Sequence, residues 1–267
     1  MNANPITKYT WIGYTAARSN LAYVGEVISR AAFMAVILYI FMRLWTVVYA
    51  EAGASRLGGF TIQQMIWYLV LTESIMLSSP RVSMEIDEDV RTGRLSVQLL
   101  RPLSYALTRL AQTLGERIVR FAVNLFAGTA VVLILVGPIR PSLSGLIMFT
   151  FLLPVAFVVD FLGYFAIGLC AFWLESTAGL MIIYSRFTML AGGMLMPLEV
   201  FPPRLQSIAR RLPFSSMVYG PARLFVAGGT DVFRQTLIMQ IAGLFLFGGI
   251  VLGLQRLAFK RIQNHGG

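Results

Sequence analysis

The sequence predicts an all-α integral membrane protein with six transmembrane helices, an N-terminal interfacial helix and a short amphipathic extracellular helical segment before the last span. Three observations carry that expectation. Apolar residues fill 57% of the 267 positions and only 13% are charged, whereas soluble domains average roughly 45–50% and about 25%. Mean hydropathy is +0.73. The apolar residues also recur in runs of about 20, the length a helix needs to cross a hydrocarbon core of roughly 30 Å.

The elements follow in order. Residues 5–18, "PITKYTWIGYTAAR", mix Tyr9, Trp11 and Tyr14 with Lys8 and Arg18, the composition of a helix lying along a membrane surface. Spans are expected at about 31–49 and 60–79, parted by a loop holding Glu51, Arg56 and a Gly-Gly pair. A charged segment occupies about 81–120, and a third span, about 121–136, ends at the turn "GPIRP". The apolar stretch from Leu143 to Val200 is too long for one crossing. It divides at "WLEST" into spans at about 143–173 and 177–197, with Glu175 at the turn and Ser176 or Thr177 as cap. Pro154 removes a backbone donor and is a kink candidate in the fourth span. Residues 198–228 form the extracytoplasmic amphipathic segment: Leu205, Ile208, Ala209 and Leu212 share a helical face between Pro203 and Pro213. The last span is about 232–254, followed by Arg256, Lys260 and Arg261.

Six spans place both termini on one side. That side carries 13 lysines and arginines against 7 on the other, so termini and charged segment are expected in the cytoplasm of a cell-membrane protein. The net charge of +10 fits anionic lipid better than nucleic acid, because 20 of the 22 basic residues are arginines scattered between apolar runs. Residues 1–20 contain no apolar core before a small-residue cleavage site, so no signal peptide is expected. Cys170 is the only cysteine and His265 the only histidine, which excludes a thiolate cluster, a multi-histidine metal site and a Ser–His relay. Neither Lys8 nor Lys260 lies in a phosphate-loop pattern. The chain is therefore not expected to hydrolyse ATP alone.

"EIDEDVRTGRLSVQLLRPL", residues 85–103, gathers Glu85, Asp87, Glu88 and Asp89 with Arg91, Arg94 and Arg101. A solvated loop with positive-inside arginines would explain the charge alone. It would not explain Val90, Leu95, Val97, Leu99 and Leu100, nor the punctuation by Gly93 and Pro102. Apolar area framed by charges suits docking into another protein's groove.

With this segment the chain resembles the permease subunits of type-2 ATP-binding-cassette (ABC) transporters, mostly exporters. Val90, Gly93, Leu95, Leu100, Arg101, Pro102 and Leu103 match that family's "I-x-x-G-x-L … L-x-R-P-L" element. "AGGMLMPLEVFPPRLQSIARRLPFSSMVYGPARLFVAGG" is similar to its connection between spans five and six. The branch whose permeases occur in pairs is the nearest in pattern. The resemblance implies a separate ATPase dimer that binds ATP and Mg, so no cofactor is expected in this chain. It further implies a second permease, a different chain or a second copy, and a coupling helix at about 85–101 seated in the ATPase. The rival readings are a membrane-embedded lipid-modifying enzyme, which lacks a carboxylate cluster on an apolar helix, and an ATP-independent carrier, which lacks an internal repeat.

Arg43, Glu73, Asp160 and Arg186 fall inside spans, where each costs roughly 2.5–3.5 kcal/mol at a helix centre unless it faces the bundle or water. Pairing of Arg43 with Glu73 and of Asp160 with Arg186 is one expectation; contact of Glu73 or Asp160 with a cationic substrate is the other. Met189, Met194, Met196, Phe161 and Phe165 either line a path or fill the bundle, and Gly249 with Gly253 permits close helix packing.

Overall fold

The computed structural model describes residues 5–21, 24–100 and 102–265. These are 82% helical and hold no strand. In chain order the helices are α1 (Pro5–Leu21), α2 (Val24–Glu51), α3 (Ile62–Leu77), α4 (Val82–Arg91), α5 (Arg94–Leu99), α6 (Tyr105–Leu135), α7 (Leu143–Leu169), α8 (Ala178–Ala191), α9 (Pro203–Arg210), α10 (Pro213–Met217), α11 (Tyr219–Ala227) and α12 (Thr230–His265).

Four of them offer stretches long and apolar enough to cross a membrane: Ile28–Glu51, Tyr105–Leu135, Leu143–Phe172 and Thr230–Ala258. The second and fifth apolar runs are shorter helices, α3 with 16 residues and α8 with 14. At 1.5 Å per residue these measure only about 24 and 21 Å. The capping chemistry explains several starts. Thr61 and Gln64 close a reciprocal capping box on α3, and Ser104 and Ser142 accept from Leu107 and Gly145 to start α6 and α7. Because nothing between Ser104 and Val136 breaks a helix, α6 begins at Tyr105, well before residue 121. Much of the expected charged loop is thus the first half of this helix. Pro154 lies inside α7 without dividing it.

α3 is the hub. Every residue from Met65 to Ile75 is buried, because α2, α6 and α11 surround it. Lipid tails are as apolar as leucine, so such contacts are held by close packing and by internal hydrogen bonds rather than by expulsion of water. The bonds are present. Trp67 Nε1 donates to the carbonyl of Gly137 at 3.0 Å, and Gln240 Nε2 of α12 donates to the carbonyls of Leu152 (3.1 Å) and Ser216 (3.0 Å).

Residues 198–228 depart from the single surface segment expected of them. α9 alone behaves so, with Leu205 and Ile208 exposed. α10 and α11 turn inward, burying Met217, Tyr219, Ala222, Leu224 and Val226 against α3, α7 and α12. The reason lies in small and apolar residues beyond Pro213: at Gly220, for example, Thr236 of α12 leaves no room for a Cβ.

Candidate functional site

The charged segment folds as two short helices at one end of the bundle. α4 has a steep division of character: Val82, Ser83 and Ile86 are buried, whereas Met84 and Glu88 are exposed. Its inner face packs on α7, where a Cβ on Gly168 would crowd Ile86 at 2.8 Å, so the two helices touch closely. Leu95 of α5 joins the same cluster with Tyr105, Phe161, Tyr164, Phe165, Leu169 and Val251. Between the helices Gly93 takes φ +71°, a left-handed turn that a side chain would strain.

The carboxylates divide between the two faces. Asp89 is 3% exposed and turns inward. It pairs with Arg109 of α6, accepts from Tyr105 Oη at 2.8 Å and from Gln98 Nε2 at 3.1 Å, and lies 3.7 Å from Arg94 Nε. Glu85 reaches the same Arg109 at 2.9 Å. Burial pushes the Glu85 carboxyl above the usual range, and the Arg109 guanidinium opposes that shift. Glu85, Asp89 and Arg109 therefore clasp α4 to the start of α6, with α5 joined through Gln98. Outside, Glu88 pairs with Arg94 at 2.5 Å and Asp87 with Arg91 at 3.1 Å. Val90 and Leu99 are half-buried against the apolar cluster, Pro102 is exposed, and Leu100 is 85% exposed. Arg101 lies outside the described residues. Met84, Glu88, Arg91, Arg94, Val97 and Leu100 make the outward face, apolar knobs among charges.

Deeper in the bundle the expected ion pairs are replaced. Asp160, 2% exposed, bonds Arg117 of α6 at 2.8 Å and not Arg186. Arg117 also stacks 4.1 Å from the Phe157 ring centroid, and Tyr184 of α8 donates to Asp160 at 3.3 Å. Arg117 wins because α6 starts early enough to carry it into the bundle opposite α7. Arg186 is exposed on α8, its Nη1 turned to the Met189 sulfur at 3.8 Å. Glu73 does not meet Arg43: both its oxygens are buried without a hydrogen-bond partner among the described residues, and Arg43 is exposed. Asn124 on α6 likewise has both side-chain polar atoms buried and, among the described residues, unbonded. Phe161 and Phe165 are core, packed on each other at 5.3 Å.

Tyr105, Gln98, Arg109 and Arg117 are the residues that sequence reasoning passed over. A signal existed: Tyr105, Arg109, Thr113, Arg117, Arg120 and Asn124 recur every three or four positions, one polar stripe along a helix.

With this geometry in place, comparison with known families gives a match over most of the chain. The model described as "ABC-2 family transporter protein" matches residues 24–262, from the start of α2 almost to the end of α12. No curated protein matches the chain.

Proposed function

The chain belongs to the ABC-2 family of transporter proteins, a multi-pass membrane component of an ABC transporter, and from that premise we propose how it works. It is a permease that forms half of an export path across the cell membrane and takes its power from a separate ATPase dimer. The outward face of α4 and α5 is the coupling surface, and this is the observation that carries the reading. Val97 and Leu100 stand exposed between Arg94, Arg91 and Glu88, a mixture suited to a protein groove. Behind it, Glu85 and Asp89 fasten the surface to Arg109, so displacement of α4 is passed to α6 and α7. A ligand shifts a two-state equilibrium only by its differential affinity for the states. ATP-driven closure of the ATPase would supply that difference between inward- and outward-open forms.

In this reading ATP and Mg belong to the partner, and the chain makes and breaks no bonds in its cargo. α3 and α8 complete six spans with the help of their flanking turns, α1 lies along the membrane surface, and both termini are cytoplasmic. A second permease, a paired chain or a second copy, covers α8, of which only Thr188 is buried. Arg43 and Arg186 are exposed whereas Glu73 and Asp160 are buried; this reading puts the two arginines on the path, so the cargo favoured is anionic or neutral.

Copurification tests the coupling surface. Val97→Asp with Leu100→Asp should leave the helical content and thermal stability of the purified chain intact, yet remove the ATPase from the complex and abolish ATP-driven transport. Retention of the ATPase at wild-type stoichiometry would refute the assignment.

A further inference from the structure

α8 is weakly built into the bundle. Thr188 is its one buried residue, and Ile182, Ile183, Phe187 and Leu190 are exposed. Its polar hold on the other helices is concentrated in one side chain. Among the described residues, the side-chain hydrogen bonds from α8 to other helices all start from the Tyr184 hydroxyl, which lies 3.3 Å from Asp160 Oδ1 of α7 and 3.9 Å from the Met217 sulfur of α10. The Tyr184 ring packs edge-on against Tyr164, Phe214 and Phe247, at centroid distances of 4.8, 5.6 and 6.2 Å. α7 admits it because residue 163 is glycine: a Cβ there would collide with the hydroxyl. The other oxygen of the same carboxylate bonds Arg117 of α6 at 2.8 Å. Asp160 is thus shared by three helices, and its two bonds differ in closeness. The Arg117 contact has the length of a strong charge-assisted bond. An O–H···O bond closes at about 2.5–3.0 Å, and the tyrosine contact stands outside that range. α6 and α7 are fastened to each other, whereas α8 hangs on that pair with slack.

We propose that the Tyr184 hydroxyl is the state-sensitive joint through which the α6–α7 pair positions α8. Tyr184 is a positioning residue, acting through Asp160. The inference rests on the coupling reading above: Arg109 ties α4 to α6, and Arg117, about two turns further along the same helix, ties α6 to Asp160. Motion imposed at α4 then reaches α8, and with it Arg186, which that reading puts on the path. Coupling between sites needs an element with two arrangements that both sites bias. A loosely made hydroxyl bond can close in one form and part in the other at small cost, which the buried Arg117–Asp160 pair cannot.

Hydrogen exchange on the complete transporter, without nucleotide and with a non-hydrolysable ATP analogue and Mg, reads both ends of this connection together. In the wild type the nucleotide should change exchange in α4 and also, by about threefold, in residues 178–191, as one modest hydrogen bond implies. Tyr184→Phe removes one oxygen and keeps the ring, so the complex should assemble and its thermal midpoint should stay within a few degrees of wild type. In this variant the response of α4 should persist while that of residues 178–191 disappears. Gly163→Ala, which displaces the hydroxyl from the α7 side, should give the same split. A response of residues 178–191 that survives in Tyr184→Phe overturns the joint, even where exchange there is raised equally with and without nucleotide, the mark of a merely structural contact. An α8 that ignores nucleotide in the wild type beside a responsive α4 overturns it too, and leaves the coupling reading standing. An α4 that ignores nucleotide removes the coupling reading itself, and the joint with it.

Discussion

At Asp160 and Arg117 two opposite charges meet with 2–3% of each side chain exposed. Removing one partner strands the other in a medium that cannot solvate it. Asp160→Asn should therefore lower stability by about 3–5 kcal/mol, read as the thermal unfolding midpoint in detergent. Asp160→Leu with Arg117→Met should recover most of that loss, because a well-packed apolar pair needs no solvation. An unshifted midpoint in Asp160→Asn would mean the pair is not buried as described. Arg186 should behave otherwise. Its guanidinium is exposed, with Nη1 beside the Met189 sulfur and no ion pair among the described residues, so Arg186→Gln should leave the midpoint within about 0.5 kcal/mol of wild type. Transport of anionic compounds should fall more than that of neutral ones; equal loss for both would deny it a place on the path.

Among the elements, α4 and α5 show what patterning could and could not reveal. The concentration of charge at 85–101 and the apolar residues among it set the segment apart, and Gly93 and Pro102 flank α5. Which carboxylate faced where was not legible. The direction of Asp89 depends on Tyr105 and Arg109, which reach it only because α6 begins at Tyr105. Hydropathy had set the start of the third span near residue 121, since it reads apolarity and not helix length. The same limit hid α10 and α11, whose burial follows from contacts with α3, α7 and α12. The clasp makes a sharp forecast at this scale. Arg109→Gln should raise amide hydrogen exchange across α4 by about tenfold or more, as loss of roughly 2–3 kcal/mol of charge-assisted bonding implies. Arg91→Gln, whose bond to Asp87 is an exposed i,i+4 pair, should change it by less than about twofold. Equal effects from the two would remove the distinction between inner and outer faces.

For the whole molecule, composition alone made the membrane assignment secure, and order and spacing of motifs pointed to the family that residues 24–262 match. The outer face of α8 was less legible: it exposes Ile182, Ile183, Phe187 and Leu190, and a single sequence carries no record of what covers them. The proposed coupling concerns α4 and α5, whose outward face is backed by Arg109 and would be gripped by a separate ATPase. A photoreactive amino acid at Leu100, installed in the intact cell, tests it most directly. The account predicts an adduct with an ABC ATPase subunit, formed only from the cytoplasmic side and dependent on nucleotide state. An adduct absent from every ATPase, or a Leu100 position reached by an impermeant reagent from outside, would contradict it.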